Sequence, residues 1–150
     1  MQEAFAVQFI DIMIIAIVAA LLYFYIMPAF KRKMRGAVNY ISPQDLNKRI
    51  QDDEDILIID VRRVAEFNSM LGHIEDAINI PFSEMAEKLD TNEKELAAYK
   101  DTPVIIVAFK DGNEGFIAYK TFQNKGFSNI FLLDKGITAW VRCGLPITSK

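Results

Sequence analysis

The sequence is poor in the side chains that bind transition metals and form disulfides. Its 150 residues include one cysteine, Cys143, and one histidine, His73. A single cysteine excludes an internal disulfide, and one residue of each kind cannot form a Cys/His zinc cluster. The sequence therefore predicts no metal and no other cofactor, and it implies no oxidising compartment.

The chain also lacks a large excess of charge, an internal repeat and a low-complexity tract. Its formal net charge is −3, which argues against a nucleic-acid-binding protein. The hydrophobic content of 51% predicts that most of the chain folds. A length of 150 residues suits one domain with a modest core and one extra element.

A long apolar run near the N-terminus is that extra element. Residues 12–30 are 19 consecutive residues without a charge, and a helix of this length spans roughly 28 Å, close to the thickness of a bilayer core. Aromatic side chains at 23–25 suit a membrane interface. A cleaved signal peptide is disfavoured because Glu3 makes the start acidic. We predict a transmembrane helix in residues 1–30, with Asp11 at the outer interface. An intramembrane functional carboxylate is the alternative for Asp11.

A basic linker, 31–39, follows the apolar run at once. It contains Lys31, Arg32, Lys33 and Arg35. The positive-inside rule places this linker and the following domain in the cytoplasm, with the N-terminus outside. A bacterial inner membrane is the simplest setting for this single-pass topology. Contact with anionic lipid head groups is an alternative role for the same cluster.

Residues 40–150 show short apolar runs alternating with helical patterns. Strands are predicted at 40–41, 56–61, 77–80, 104–108 and 129–133. Helices are predicted at 43–50 with Ser42 as the cap, from Ser83 onward, at 93–99, from the loop after 108 to Gly126, and at 135–141. This order predicts an α/β domain whose sheet is mainly parallel, with right-handed crossovers.

The strand at 104–108, its loop and the next helix form the central unit. A loop that opens a helix attracts anions through its amides and the helix dipole. A cysteine at the end of such a strand would have its thiolate stabilised. Phe109 occupies that position instead, and its side chain has no nucleophile and no exchangeable proton.

Several short motifs occur in a specific order around this unit. They are Asp60-Val61-Arg62, Glu66-Phe67, Gly72-His73-Ile74, Ala77-Ile78-Asn79-Ile80-Pro81, Gly126-Phe127, Gly136-Ile137-Thr138-Ala139-Trp140 and Gly144-Leu145-Pro146. The ordered set resembles the single-domain rhodaneses, the sulfurtransferase-like family, over about 40–147. The resemblance implies a three-layer α/β fold. It also implies a loop Cys-Arg-x-Gly-x-Arg, whose cysteine carries sulfane sulfur as a persulfide.

The matching loop is degenerate in this sequence. It consists of Phe109, Lys110, Asp111, Gly112, Asn113 and Glu114. By position, the cysteine is Phe109, the first arginine is Lys110 and the second arginine is Glu114. The resemblance therefore implies an inactive member without catalytic residues. We expect it to bind or regulate a protein partner, such as one in the same membrane. Phe109 is predicted to plug the vacated pocket; an exposed anchor for the partner is the alternative.

Other residues offer weaker candidates for chemistry. A membrane-bound sulfurtransferase or sulfur carrier that uses Cys143 or an unusual site is the alternative function, and an oxyanion sensor at the amides around Gly112 is a third. We interpret His73 as a structural histidine. Within the family pattern, Asp60 and Arg62 are expected to orient the loops. Asp111 is expected to be solvated.

Overall fold

The computed structural model describes residues 13–27, 38–110 and 112–149. The chain divides into two units, Met1–Ala37 and Val38–Lys150. In the first unit, residues 13–27 form helix α1, and every side chain from 13 to 26 is exposed. Among the described residues, no helix is both long and apolar enough to cross a membrane. Residues 12 and 28–30 of the predicted span, Asp11 and the basic cluster at 31–35 all lie outside the described residues.

The second unit consists of alternating strands and helices around one sheet. Its elements are β1 (Tyr40–Ile41), α2 (Pro43–Gln51), β2 (Leu57–Asp60), α3 (Val64–Phe67), β3 (Ile78–Asn79), α4 (Met85–Thr91), α5 (Glu93–Leu96), a 3₁₀ turn (Ala97–Tyr99), β4 (Val104–Val107), α6 (Asn113–Asn124), β5 (Ile130–Leu133) and α7 (Gly136–Arg142). The strand order is β1-β5-β4-β2-β3, and all four neighbouring pairs are parallel. The predicted α/β domain with a parallel sheet is confirmed.

Strand β4 is the centre of the sheet because every one of its residues is apolar and buried. Val104 and Ile106 belong to the core cluster on one face, whereas Ile105 and Val107 belong to the cluster on the other. This alternation follows from the period of two in a strand. Both clusters lie within Val38–Lys150, so this unit has a hydrophobic core of its own.

The helix boundaries agree with the sequence at some termini and differ at others. Ser42 caps α2, and its Oγ accepts a hydrogen bond from the Asp45 N–H at 3.1 Å. Gly126 follows α6 with φ +88°, as predicted for a helix stop. The helix predicted from Ser83 begins at Met85 instead. Helix α3 was not predicted, since four residues are too short to show a helical period.

Gly136 joins helix α7 to the end of β4 at very short range. Its φ is +60°, and a Cβ on this residue would lie 2.3 Å from the Ala108 carbonyl oxygen. The next residue, Ile137, donates its N–H to that same oxygen at 2.9 Å. Only glycine permits both the left-handed conformation and this approach. The start of α7 therefore fixes where the chain leaves the central strand.

We expect Gly136→Ala to destabilise the Val38–Lys150 unit much more than Gly144→Ala. Gly144 is the matched control because it has φ +69°, but a Cβ added to it would meet no heavy atom of the described residues within 4 Å. Gly144→Ala should therefore lose only the cost of a left-handed backbone conformation in a residue with a Cβ, about 1–2 kcal/mol. Gly136→Ala adds a steric overlap that costs roughly 1–3 kcal/mol more. Urea unfolding followed by Trp140 fluorescence measures both changes, and equal losses would contradict the proposed close contact.

Candidate functional site

Phe109 lies at the carboxyl end of β4, and its side chain is 42% exposed. The prediction that it plugs the vacated pocket is therefore wrong. The first turn of α6 packs closely against the end of β4 and against β5, since a Cβ on Gly115 would lie 3.1 Å from the Ala108 Cβ and 3.0 Å from Leu132 Cδ1. The side chain of Phe109 is therefore not part of the core and is partly accessible to solvent.

The backbone of the loop is held by the first turn of α7. The carbonyl oxygen of Ala108 accepts a hydrogen bond from the N–H of Ile137 at 2.9 Å, and that of Phe109 accepts one from Thr138 at 3.4 Å. The Lys110 Nζ lies 5.8 Å from the centroid of the Phe109 ring, within range of a cation–π contact. The loop thus presents an aromatic ring and a cation on an anchored backbone.

Helix α6 begins directly after this loop, at the position where the family pattern implies an anionic sulfur donor. Gly112 is the N-cap in an extended conformation, and its N–H donates to the Lys110 carbonyl oxygen at 2.8 Å. Asn113 is the first helical residue, and the exposed Glu114 lies in the first turn. A carboxylate there favours the helix dipole, but it repels an anionic donor. Asp111 lies outside the described residues.

Asp60 and Arg62 form a buried ion pair at the end of β2. They are 0% and 1% exposed, and the Arg62 Nη2 lies 2.7 Å from Asp60 Oδ2. The same guanidinium donates to the carbonyl oxygens of Gly72 at 2.8 Å and Glu66 at 3.3 Å. The pair therefore ties the β2–β3 connection to the sheet. This geometry agrees with the expected role of both residues in orienting loops.

His73 is a structural residue in the same connection. It is 4% exposed, its ring stacks on Phe67 with the centroids 3.6 Å apart, and its Nδ1 lies 3.0 Å from the Phe67 carbonyl oxygen. Its backbone exchanges two hydrogen bonds with Thr148, each 2.8 Å long. These contacts hold His73 in the β2–β3 connection and agree with its interpretation as a structural histidine.

At the start of α3 the Glu66 carboxylate accepts hydrogen bonds from the Arg63 N–H and from the Arg63 guanidinium, each at 3.1 Å. Partial burial raises the pKa of the Glu66 carboxyl. The hydrogen bonds from the Arg63 N–H and guanidinium, together with the positive charges of Arg63 and Arg62, lower the pKa by more. The net pKa is below its ordinary value of 4.5. This pair therefore stabilises the fold at neutral pH, and its contribution is lost as the pH falls through the lowered pKa.

Cys143 lies at the far end of α7 from the β4 loop. It is the C-cap residue and is exposed, and Gln44 Nε2 donates to its Sγ at 3.3 Å. The seven residues of α7 separate it from the loop by about 10 Å along the helix axis. The negative end of the helix dipole repels an anionic sulfur donor. Among the described residues, no group of His, Cys, Asp and Glu could hold a metal ion.

The comparisons with known proteins agree with this fold. The family model of the rhodanese-like domain matches residues 42–143. A sulfurtransferase of Allochromatium vinosum is 31% identical over 112 residues, which cover 75% of this chain and 96% of that protein. The uncharacterised protein YibN of Escherichia coli is 31% identical over 66% of this chain and 65% of its own length. The crystal structure of a rhodanese-related protein from Thermoplasma volcanium matches with a TM-score of 0.61 at 28% identity, over 75% of this chain and 99% of that one. The chain belongs to the rhodanese-like family.

Proposed function

We propose that this chain is a membrane-tethered rhodanese-like module that binds a protein partner and does not transfer sulfur. The observation that carries the proposal is the half-exposed Phe109 at the carboxyl end of the central strand. This is the position where the family pattern has its persulfide-forming cysteine. The partner would contact the domain at this loop.

The chemistry of the loop supports the absence of sulfur transfer. A persulfide forms when a thiolate attacks the sulfane sulfur, so a side chain without a thiol cannot take part. Glu114 adds a negative charge where the family pattern has a second arginine. Cys143 is no substitute, because α7 separates it from the loop.

The same loop is suited to binding a protein. Aromatic side chains are enriched among the residues that dominate binding energy at interfaces. The backbone of Phe109 is already fixed by α7, so less conformational entropy is lost on association. Lys110, beside the ring, adds a charge that can select an acidic group on the partner.

The N-terminal unit supports attachment to a membrane. Helix α1 exposes apolar side chains all around, including Phe24 at 75% and Tyr25 at 86%. A helix that is apolar on every side needs an apolar environment. The charge-free run 12–30 and the basic cluster after it favour a single-pass anchor with the domain in the cytoplasm. The partner would then be a protein that reaches, or lies in, the same bacterial membrane.

Site-specific photo-crosslinking tests this function in the full-length chain. A benzoylphenylalanine in place of Phe109 is expected to give a discrete adduct with one protein in the membrane fraction. Ile117, on α6, is the matched control position because it is 45% exposed. Binding at the loop would be contradicted if the probe at position 109 gave no adduct, or if the probes at 109 and 117 gave the same adducts.

A further inference from the structure

A second surface of the domain is an apolar groove at the β3 edge of the sheet. Its volume is about 460 Å³, and it runs between β3 and the segment formed by α4, α5 and the 3₁₀ turn. The floor consists of Leu57, Ile59, Ile80, Leu89 and Leu96. Ile59 and Leu89 are buried members of the core cluster on this face, and the other three pack against it. The groove is therefore an opening onto the hydrophobic core.

Exposed apolar side chains also line the two sides of this groove. Ile78 lies on the β3 side and Tyr99 on the opposite side, and each is 49% exposed. A small ligand on the floor would leave the side chains of Ile78 and Tyr99 exposed to water. A helix about 10 Å wide would cover the floor and both of these side chains. Addition of a strand is disfavoured, since β3 has only two residues and Pro81 follows shortly.

The charge of the bordering helices selects the partner. Residues 84–99 contain five acidic and two basic side chains, a net charge of −3. Lys88, which also lines the groove, is paired with Glu84 at 3.0 Å, and Asp90 is paired with Lys125. The side chains of this segment outside these two pairs, Glu87, Glu93, Lys94 and Glu95, carry a net charge of −2. Glu95 lines the groove and forms no ion pair with any described residue. A complementary partner carries lysine or arginine beside its apolar face.

We infer that this groove binds an amphipathic helix of a partner protein, with its apolar stripe on the floor and its basic flank against α4 and α5. The site is separate from the β4 loop, because it lies at the β3 edge of the sheet. Binding here does not depend on the function proposed for Phe109. The two surfaces would allow the domain to contact two protein segments at once.

Two designed peptides test this inference on the Val38–Lys150 unit. The unit has its own core, and the Allochromatium vinosum relative consists almost wholly of the matching segment. Each peptide is a helix of about 18 residues with leucine at i, i+3, i+4 and i+7. One carries lysine on its flanks and the other glutamate. Isothermal titration calorimetry and chemical shifts of the labelled unit measure affinity and location.

We expect the lysine peptide to bind more tightly than the glutamate peptide and to shift resonances of the groove. Glu95→Lys should lower its affinity by about tenfold or more and should favour the glutamate peptide instead. The double variant Ile78→Ser/Tyr99→Ser should lower the affinity for the lysine peptide by a similar factor. Ile117→Ser, at a half-exposed position on α6, is the control and should change neither affinity.

Three results would overturn the inference. They are equal affinity for the two peptides, shifts that lie outside the groove, and binding of a small apolar probe such as octanoate without binding of either peptide. The last result would assign the groove to a small molecule. The spectrum of each variant shows directly whether it is folded, so a lost affinity is attributed only to a folded variant.

Discussion

Phe109→Cys/Glu114→Arg is expected to transfer sulfur from thiosulfate to cyanide at least roughly 100-fold faster than the parent domain. The new thiolate would lie at the end of β4, before the amides that open α6, where its charge is favoured. It would attack the sulfane sulfur, release sulfite and form a persulfide, whose outer sulfur cyanide removes as thiocyanate. Phe109→Cys alone should gain less, because Glu114 repels thiosulfate.

The control for this gain is Ile117→Cys/Glu114→Arg. It places a thiol at a position of similar exposure, since Ile117 is 45% exposed and Phe109 is 42% exposed. We expect no gain from it, because residue 117 lies within α6 rather than before its N-terminus. A folded Phe109→Cys/Glu114→Arg that matches this control in rate would show that the loop is not a vacated sulfurtransferase site.

Arg62→Met should destabilise the domain by about 3–5 kcal/mol, the cost of leaving a buried charge without its partner. Methionine retains most of the apolar volume but leaves the Asp60 carboxylate, which is 0% exposed, uncompensated. The carbonyl oxygens of Gly72 and Glu66 lose a donor as well. Urea unfolding of the Val38–Lys150 unit measures the loss.

The adjacent Arg63 is the matched control for this substitution. Its side chain is 82% exposed and pairs with Glu66 at 3.1 Å, so Arg63→Met should cost less than about 1 kcal/mol. Asp60→Asn/Arg62→Met should cost less than the sum of the single changes, because each removes the same pair. Equal losses for Arg62→Met and Arg63→Met would contradict the structural role of the buried pair.

The strands could be predicted from the sequence because their signals are local. Continuous apolar runs mark β2, β4 and β5, and their parallel pairing follows from the helices between them. The ordered motifs, read from the sequence alone, place Phe109 at the end of the central strand. They likewise predict structural contacts for Asp60, Arg62 and His73.

The features that the sequence does not reveal depend on contacts between distant parts of the chain. The exposure of Phe109 is one such feature, because the backbone of its loop is held by α7, which follows α6 and β5 along the chain. The groove exists because α4 and α5 cover the β3 edge only in part, which no local pattern shows. Its one signal in the sequence is the acidic run 84–95, which by itself indicates only a helical segment.

The proposed absence of sulfur transfer is tested with the unaltered Val38–Lys150 unit. The assay measures thiocyanate formed from thiosulfate and cyanide, with Cys143→Ser as the companion variant and mass spectrometry of the thiol after exposure to thiosulfate. We predict no thiocyanate above the buffer rate for either protein and no added sulfur on Cys143. Turnover by the unaltered unit that disappears in Cys143→Ser would contradict the proposed function and would identify an enzyme with a displaced nucleophile.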